Sequence, residues 1–564
     1  MYLSKLKIKN FRSIKNSTFN FSQGINILIG ENNSGKTTVL DVLRICLGYR
    51  QSNSLRIKKE DFNIFNLNES IEFDLSFDIN EDYERAYFIE LYNAKQDTLE
   101  LHYRFSINNN LPLERINADI WGGENEGQNI PNEIFQLFIN VYLGALRDAK
   151  KYLNPGRYNY LSQFFEGINE KMINKNYDKT EMVFNLNKQI EDSSFSEFIN
   201  EVNNQHISNH LRNVSFDDES NMNISWLSQN FEDYTKNLKI KLNISEDSKE
   251  EFLDLNQNGL GNNNLIYISL ILTSLSFLKK QENALYLSLL IEEPEAHLQP
   301  QLQNLFFSYL NELNEKLNKD KSFQIFISSH SPTLTAKADL NSIVILQNND
   351  NEVLNSNFEQ FKFKEENKKF LQKFLDVTKS QLLFSKKIIF VEGISEALLI
   401  PVFAKKLGYN LDKKGIEIVN MQGVSFKHFM PLFNKDTELS FKGIILTDDD
   451  REEINGNPSK TFYSIQKFEK NHNIKVFGSE KTFEYDLLKS NVEKPIIFKI
   501  FKENNDKIFN MQNDDIKSIF KVFNDKRPVS KSDIALQLSL TLTEDDDYNI
   551  PKYIEEGLNY ICGD

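Results

Sequence analysis

The chain has few cysteines, no long apolar run and no excess of positive charge, and each absence removes a class of protein. Only 2 of its 564 residues are cysteines, Cys46 and Cys562. This excludes a disulfide framework and cysteine-based zinc modules, and it indicates a reducing, cytoplasmic setting. No segment approaches the roughly 18 apolar residues that a membrane-spanning helix needs. The first residues alternate apolar and basic side chains, so we expect no signal peptide there.

The charge balance is acidic, with 66 basic and 81 acidic residues and a net charge of −15. Such a balance argues against non-specific coating of DNA or of anionic membranes. It leaves room for a local basic channel beside an acidic metal site. The 40% share of hydrophobic residues is enough to bury several cores. At about 150 residues per domain, the length predicts three or four domains.

Strand-like segments occur in two stretches of the chain, separated by residues with a different pattern. Apolar strand-like runs fill residues 1–150 and return in residues 251–355, which we expect to form the two parts of one α/β domain with a mixed sheet. Residues 151–250 have helical periodicity and predict a helical insertion. Residues 356–384 predict a linker helix. Residues 385–564 alternate strand and helix signals, which is typical of a second domain with a parallel sheet.

The first chemical signal is a glycine-rich loop between a buried strand and a helix. Residues 30–37, GENNSGKT, match the pattern G-x-x-x-x-G-K-[ST]. Glycines let backbone amides turn toward phosphate oxygens, the lysine reaches the β- and γ-phosphates, and Thr37 ligates the Mg²⁺ bound with ATP. The helix N-terminus adds a favourable partial charge. The predicted nucleotide-contacting residues are Gly30, Asn32, Asn33, Ser34, Gly35, Lys36, Thr37 and Thr38.

Two later strands end in residues that would complete a nucleotide site. One apolar strand ends in Glu292, which suits Mg²⁺, and Glu293, which suits polarising the attacking water as a catalytic residue. Another strand ends at His330, which suits sensing the γ-phosphate. Taken singly, each residue is also what a solvated strand end or a polar turn would carry. Downstream of a phosphate loop, the three together predict an ATP site.

These segments, with KNFRSI at residues 9–14, resemble the ABC-type ATPase head of RecF-like and SMC-like proteins. The resemblance covers roughly residues 1–150 and 250–350, and it implies at least a dimer. The insertion between them is too short for an SMC-like arm, because about 100 residues folded back as a hairpin reach only about 75 Å.

The second chemical signal is a set of acidic residues at strand ends in the C-terminal domain. Glu392 ends one strand, and Glu396 follows about one helical turn later. Two strands on, three aspartates end another strand. Because alternate side chains share a face in an extended chain, Asp448 and Asp450 point the same way while Asp449 points away. Ligands bind at the carboxyl ends of parallel strands, so we expect these acids to meet there.

A further predicted strand, residues 474–488, delivers Glu484 and Asp486 to the same edge. Clustered carboxylates repel one another unless cations neutralise them, and their oxygens select Mg²⁺ or Mn²⁺. Two such ions activate water and stabilise the leaving oxygen of a phosphodiester. Each acid alone also fits a solvated strand end. The predicted ligands are Glu392, Asp448 and Asp450 for one ion, and Glu396 with Glu484 or Asp486 for the other.

The order Glu…Asp-x-Asp after apolar strands resembles the Toprim domain of topoisomerases, primases and some nucleases. Downstream, Lys531 precedes an amphipathic helix. A single lysine is usually a surface residue. Here it matches the position at which Toprim nucleases of one family carry a lysine that stabilises the transition-state phosphate.

An ABC-type head followed by a Toprim domain resembles the layout of the OLD (overcoming lysogenization defect) family of bacterial and phage nucleases. The resemblance covers nearly the whole chain and implies a metal-dependent DNA endonuclease regulated by ATP, assembled as a homodimer or tetramer through residues 151–250. It also implies anti-phage defence, as in Gabija-type or retron-associated systems, whose partners include a helicase or a reverse transcriptase with its RNA–DNA. The motifs that carry it are ALRDA (residues 145–149), EEPEAHLQP, SSHSP, VEGISEALLIP, TDDD, EYDLL and SKSDIA.

Two other functions fit parts of the sequence. A RecF-like DNA-repair ATPase with a non-cleaving Toprim domain would not require Lys531, so that residue separates the two hypotheses. A topoisomerase-like subunit would need a catalytic tyrosine on a separate DNA-binding domain, and no convincing segment supplies one. The sequence has no recognition-helix or finger pattern, which favours contacts with the phosphate backbone over base readout.

Overall fold

The computed structural model groups the chain into two compact units. The first unit contains residues 1–142, 285–295 and 300–564, and the second contains residues 143–284 and 296–299. None of the helices in the described part of the chain combines the length and apolar character that crossing a membrane requires. The described residues are 1–49, 55–67, 69–108, 115–144, 153–155, 160–167, 178–207, 224, 226–243, 252–280, 285–296, 298–319, 321–349, 352–375, 379–423, 425–439, 441–449, 451, 456–503 and 531–563.

The strands are numbered in chain order. They are β1 (Tyr2–Phe11), β2 (Ile14–Asn20), β3 (Gly24–Gly30), β4 (Ile71–Asp78), β5 (Tyr92–Asn93), β6 (Thr98–Asn108), β7 (Arg115–Gly122), β8 (Phe138–Leu143), β9 (Lys241–Asn243), β10 (Phe252–Asp254), β11 (Tyr286–Glu292), β12 (Phe323–Ser329), β13 (Ile343–Asn349), β14 (Glu352–Asn357), β15 (Lys387–Val391), β16 (Ile416–Asn420), β17 (Lys442–Thr447) and β18 (Ile474–Gly478).

The α-helices are numbered in the same way. They are α1 (Lys36–Leu47), α2 (Asp82–Tyr87), α3 (Asn132–Gln136), α4 (Tyr160–Gly167), α5 (Lys179–Glu191), α6 (Ser194–Val202), α7 (Phe231–Lys236), α8 (Leu260–Lys280), α9 (Pro300–Leu317), α10 (Pro332–Lys337), α11 (Glu365–Phe374), α12 (Ile394–Lys406), α13 (Lys460–Gln466), α14 (Phe483–Ser490), α15 (Pro495–Glu503), α16 (Lys531–Thr541) and α17 (Lys552–Cys562).

An antiparallel sheet begins the first unit, with strand order β2-β1-β4-β6-β5 and β7 beside β6. Strict alternation in β4 fixes its buried face, since Ile71, Phe73, Leu75 and Phe77 are all fully buried. Strand β4 pairs with β1, and β6 pairs with β4, so these strands form one antiparallel sheet with the first strand.

A mixed sheet, of order β14-β13-β3-β12-β11-β8, carries the phosphate loop. Strands β11, β12, β3 and β13 are parallel neighbours, whereas β14 runs antiparallel to β13. Every residue of β3 and β12 is buried, as expected of strands covered on both faces. Parallel pairing brings the carboxyl ends of β3, β11 and β12 to one edge, so the three predicted nucleotide segments meet there.

The third sheet of the first unit has the order β16-β15-β17-β18, with every neighbouring pair parallel. This confirms the predicted second parallel sheet. Its two central strands are β15 and β17, and Glu392 and Asp448 directly follow their last residues. Helices α12, α14, α16 and α17 contribute buried side chains to the core that contains these strands.

The predicted strand at residues 474–488 is wrong beyond Gly478. Strand β18 ends there, and Glu484 and Asp486 lie in the first turn of α14. Thr482 caps this helix, because its side chain accepts a hydrogen bond from the Tyr485 amide. The Ser-Glu-Lys-Thr segment therefore acts as a turn and helix start, although its flanking apolar residues resemble an extended strand.

The second unit contains helices α4 to α8 and the short antiparallel pair β9 and β10. Helices α4 to α7 and strand β9 lie within residues 151–250, which the sequence predicts as a helical insertion. Helix α11 lies within residues 356–384, which the sequence predicts as a linker helix. The ALRDA motif at residues 145–149 lies outside the described residues.

Candidate nucleotide site and carboxylate cluster

The phosphate loop has the backbone conformation that its glycines predict. Gly30 has a φ of +148° and Gly35 a φ of +94°, values that side-chain-bearing residues rarely adopt. A Cβ atom on Gly30 would lie 2.1 Å from the backbone oxygen of Leu346, so the position also requires glycine for space. Asn32 and Asn33 are exposed on the loop, while Ser34 and Thr38 are buried.

Lys36 is held inside this loop by its own backbone. Its Nζ donates to the carbonyl oxygens of Gly30 at 2.9 Å and Glu31 at 2.6 Å, and to Ser34 Oγ at 3.3 Å. Burial lowers the pKa of Lys36 to about 8, although Glu293 favours the charged form. An entering phosphate would offer this ammonium a charged partner in place of the carbonyls.

Glu292 bridges the loop and the edge of the sheet. Its Oε1 accepts from Thr37 Oγ1 at 2.9 Å, and its Oε2 accepts from the Tyr142 hydroxyl at 2.6 Å. Burial and this hydrogen bond raise the pKa of Tyr142. The Arg44 guanidinium carbon lies 4.1 Å from the centre of the Tyr142 ring. Thr37 and Glu292, which the sequence pairs as Mg²⁺ ligands, are thus direct neighbours.

Glu293 and His330 are also brought together. His330 Nε2 lies 3.7 Å from Glu293 Oε1. Burial and the nearby Lys36 ammonium lower the pKa of His330. The adjacent Glu295 fixes the histidine backbone, because its Oε1 accepts from the His330 amide at 2.6 Å and from Ser329 Oγ at 3.0 Å.

The carboxylate cluster begins at the ends of β15 and β17. Glu392 Oε1 accepts a hydrogen bond from Thr447 Oγ1, and the Asp448 amide donates to the same oxygen at 3.3 Å. Ser479, just after β18, donates from Oγ to Asp448 Oδ1 at 3.1 Å. Side chains from three neighbouring strands therefore converge on one edge.

Two helix starts complete the cluster. Glu396 lies in the first turn of α12 and Glu484 in the first turn of α14, and both are buried. Lys531, the first residue of α16, places its Nζ 2.8 Å from Glu484 Oε2. Burial alone would lower the pKa of Lys531, but Glu484 and Asp448 raise it.

Two carboxyl groups of the cluster, those of Glu396 and Asp448, have raised pKa values. Burial raises the pKa of Glu396 to about 7, and the negative charges of Glu484 and Glu392 add to the shift. Burial, followed by repulsion from Glu396 and Glu392, raises the pKa of Asp448 well above its usual range. Burial is thus the main cause of both shifts, and the neighbouring carboxylates add to it.

Two acidic residues near the cluster have other surroundings. Asp449 is fully buried and accepts from Arg451 Nε at 2.8 Å and from the Ser459 amide at 2.6 Å, so it points away as expected. Asp486 accepts the Glu480 amide at 2.9 Å, and burial raises its pKa to about 6. Asp450 lies outside the described residues.

The cluster fits divalent cations by its chemistry. In the part of the chain that the structure describes, no three acidic, histidine or cysteine side chains are arranged to hold an ion as they stand. The available donors are nevertheless carboxylate oxygens, the ligands that Mg²⁺ and Mn²⁺ prefer. Burial and the neighbouring carboxylates disfavour the charged forms of Glu396 and Asp448, and bound cations would favour those charged forms.

Sequence reasoning did not identify four residues that organise these sites. Thr447 and Ser479 donate to the cluster, while Tyr142 and Glu295 fix the nucleotide residues. Thr447 and Ser479 carry a usable signal, because each adjoins the carboxyl end of a strand in the parallel sheet. Tyr142 carries none, since its strand joins the sheet from a distant part of the chain.

Comparisons with known proteins agree with this two-part arrangement. Residues 1–335 match the family model of the AAA ATPase domain, and residues 383–450 match that of the overcoming lysogenization defect protein-like TOPRIM domain. The endonuclease GajA of Bacillus cereus (strain HuB5-5) is 25% identical, with 100% of this chain and 99% of that protein aligned. The GajA endonuclease of strain VD045 is 24% identical over 80% of this chain and 75% of its own length.

A solved structure of the C-terminal region of the Burkholderia pseudomallei OLD protein is 23% identical, over 32% of this chain and 97% of that structure. Its TM-score is 0.25. The fold, the two sites and the family models together define an ATPase head that shares its chain with a Toprim domain. The chain belongs to the OLD family of ATPase–Toprim nucleases.

Proposed function

We propose that this chain is an ATP-binding, divalent-metal-dependent DNA endonuclease that cuts with its Toprim domain. The observation that carries the proposal is the convergence of Glu392, Glu396, Asp448 and Glu484 around Lys531 at the carboxyl edge of one parallel sheet. The full-length similarity to a relative named as an endonuclease supports it. The nucleotide site in the same chain supports regulation by ATP.

Each residue of the cluster has a distinct proposed role. Divalent cations, when bound, would activate water and stabilise the leaving oxygen of a phosphodiester. We assign one ion to Glu392, Asp448 and Asp450, and the second to Glu396 with Glu484. Asp486 is the weaker candidate, because it already accepts the Glu480 amide.

The remaining groups of the cluster act on orientation and charge. Thr447 and Ser479 hold the carboxylates of Glu392 and Asp448 by hydrogen bonds. Lys531 faces the scissile phosphate and offsets the charge that develops on it. In the metal-free arrangement, its pairing with Glu484 keeps this ammonium at the site.

The head would bind ATP and govern cutting or assembly. Loop amides and Lys36 bind the phosphates, and Thr37 with Glu292 holds the accompanying Mg²⁺. Glu293 polarises the attacking water, and His330 contacts the γ-phosphate. Support comes from the short distances that join these side chains.

We further propose that the nuclease serves anti-phage defence as a homodimer or tetramer. This part rests on family membership. It is tested by the efficiency of phage plating on cells that carry the gene with its neighbours, with Glu392→Gln as the inactive variant. Equal plating on wild-type and variant cells across a phage panel would contradict the defence role.

Light scattering of the purified chain tests the proposed dimer or tetramer, and a monomer would contradict it.

Incubation of the purified protein with supercoiled plasmid and Mg²⁺ or Mn²⁺, with and without ATP, tests the nuclease. We expect nicked or linear product from the wild type and none from Glu392→Gln or Lys531→Met. Asp412→Asn is the matched control, because Asp412 is an exposed acid that precedes the opposite, amino end of β16. If the wild type bound ATP and DNA but cut under no metal, the RecF-like repair ATPase would be the better account.

A further inference from the structure

A lysine that belongs to neither site bonds the start of the Toprim sheet to the phosphate loop. Lys386 directly precedes β15, and its Nζ lies 3.2 Å from Glu31 Oε2 in the phosphate loop. The same Nζ donates to the backbone oxygen of Asn348. Asn348 in turn donates from Nδ2 to the Asn33 carbonyl at 3.4 Å. One cation from the start of the Toprim sheet is thus bonded to the loop and to a neighbour of the loop.

Glu31 is contacted at both its backbone and its side chain. Its carbonyl oxygen accepts from Lys36 at 2.6 Å, and its carboxylate pairs with Lys386. A bound triphosphate would draw Lys36 toward its own oxygens and add negative charge beside the Glu31 carboxylate. Nucleotide and Glu31 then compete for the same two ammonium groups. The Lys386 pair is therefore placed to differ between the nucleotide-free and nucleotide-bound states.

The backbone of Lys386 connects it to the carboxylate cluster. Its carbonyl oxygen accepts from the Lys442 amide at 2.9 Å, at the start of β17. From there β15 and β17 pair in parallel as far as Val391 and Leu446. The next residues are Glu392 and Thr447. At a rise of about 3.3 Å per residue, the two ends of this strand pair are about 20 Å apart. Paired, buried strands transmit a shift as a unit.

We propose that Lys386 is the positioning residue through which nucleotide in the phosphate loop acts on the carboxylate cluster, by way of its ion pair with Glu31 and the paired strands β15 and β17. The inference rests on the proposed function, because it assigns a route for the regulation of that nuclease. A nucleotide shifts an equilibrium only if it interacts differently with its two states. The Glu31–Lys386 pair supplies that difference.

The test compares Lys386→Met with wild type in plasmid cleavage, with and without ATP. We expect the nucleotide-free cleavage rate to stay within about 2-fold of wild type. ATP either raises or lowers the wild-type cleavage rate by some factor. We expect this factor to be about 5-fold smaller in Lys386→Met, because a partly exposed ion pair contributes a free energy of that size. Lys387→Met is the matched control, because its side chain points to the opposite face of the strand.

Two further measurements distinguish loss of the ion pair from a general loss of structure in the variant. The exchanged pair Glu31→Lys with Lys386→Glu should restore the response to ATP, whereas Lys386→Glu alone should not. Hydrogen exchange of residues 387–391 should change on ATP addition in the wild type and not in Lys386→Met. This second readout needs no cleavage, so it stands even if the proposed nuclease activity fails.

The inference would be overturned if ATP changed the cleavage rate of Lys386→Met as much as that of the wild type, and if ATP also changed hydrogen exchange of residues 387–391 equally in both proteins. A wild type that binds ATP without any change in cleavage or in exchange of these strands would also overturn it. The wild type could instead fail to cleave under every metal tested while its hydrogen exchange still responds to ATP through Lys386. That result would refute the proposed nuclease activity and support the coupling through Lys386.

Discussion

Two hydroxyl groups beside the Toprim carboxylates orient the side chains that matter most. Thr447 donates to Glu392, and Ser479 donates to Asp448 at 3.1 Å. Groups that orient a metal ligand typically affect metal affinity or activity 10- to 100-fold, roughly as much as many direct contacts. Both carboxylates also approach other acids, so without these hydrogen bonds they would have freedom to turn away.

Replacement of Thr447 tests this role. We expect Thr447→Val to lower the rate of plasmid cleavage by about 10- to 100-fold and to raise the metal concentration needed for half-maximal rate. Thr447→Ser keeps the hydroxyl and should stay close to wild type. Equal activity of the two variants would show that the hydrogen bond to Glu392 is dispensable.

Lys36 gives a prediction with a defined pH. Its pKa in the nucleotide-free protein is about 8, because the amine is buried. Phosphate binding needs the ammonium, so above this pH the binding of ATP must first take up a proton. We expect ATP affinity to be about 10-fold weaker at pH 9 than at pH 7.5. Titration with a fluorescent ATP analogue measures it, and a constant affinity over this range would contradict the assignment.

At the scale of elements, strand ends decide where chemistry occurs. The phosphate loop, Glu292 and His330 follow three parallel strands of the mixed sheet, and Glu392 and Asp448 follow two central strands of the Toprim sheet. Parallel pairing makes these ends neighbours without any contact being specified in sequence. The loop after β3 adds a second constraint, since its backbone passes close to β13.

Gly30 is the residue at which the loop backbone passes close to β13. We expect Gly30→Ala to abolish ATP binding and to lower the melting temperature, because its Cβ would lie 2.1 Å from the Leu346 oxygen. Gly127→Ala is the matched control: its φ of +89° is also unfavourable for alanine, but nothing lies within 4 Å of the added atom. Thermal unfolding of the two variants separates the clash from backbone strain. Equal loss of stability would contradict this reading.

Most of the elements near the sites were predictable from the sequence. Buried strands such as β11, β12 and β15 are short, continuous apolar runs, and their polar ends mark the sites. Helix α14 was not predictable in this way, because Phe483, Tyr485 and Leu487 alternate like a strand. The Thr482 cap, which starts the helix, was the overlooked local signal.

The contacts that Tyr142 and Lys386 make with distant segments could not be predicted. Tyr142 reaches Glu292 across 150 positions, and Lys386 pairs with Glu31 across more than twice that distance in sequence. Such pairs depend on how strands are ordered in the sheets, which periodicity does not specify. Sequence therefore indicated the chemical groups, and the fold supplied the residues that orient them.

At the scale of the whole molecule, the net charge is −15, and several of the acidic side chains lie close together in the Toprim domain. Glu396 and Glu484 are buried, and the partly exposed Asp448 lies near them, with Lys531 as a cation among them. The metal-free fold keeps protons on this cluster more readily than the unfolded chain does. Metal affinity and stability are therefore linked to pH through the same carboxylates.

Glu396 makes this linkage measurable. Its pKa rises from 4.5 to about 7 on folding, so its stabilising contribution is complete below about pH 4.5 and is lost as pH rises to 7. The loss is on the order of 2–3 kcal/mol. In EDTA, we expect Glu396→Gln to match wild-type stability near pH 5 and to exceed it at pH 8. Thermal unfolding at the two pH values tests this, and a pH-independent difference would contradict it.

Calorimetric titration of Mn²⁺ into the purified protein tests the carboxylate cluster most directly. We expect two bound ions per chain, with affinity that rises with pH. Glu392→Gln should lose at least one of them, while Asp412→Asn should keep both. A wild type that binds no Mn²⁺, or binding that Glu392→Gln leaves unchanged, would contradict the assignment of the carboxylate cluster as the cutting site.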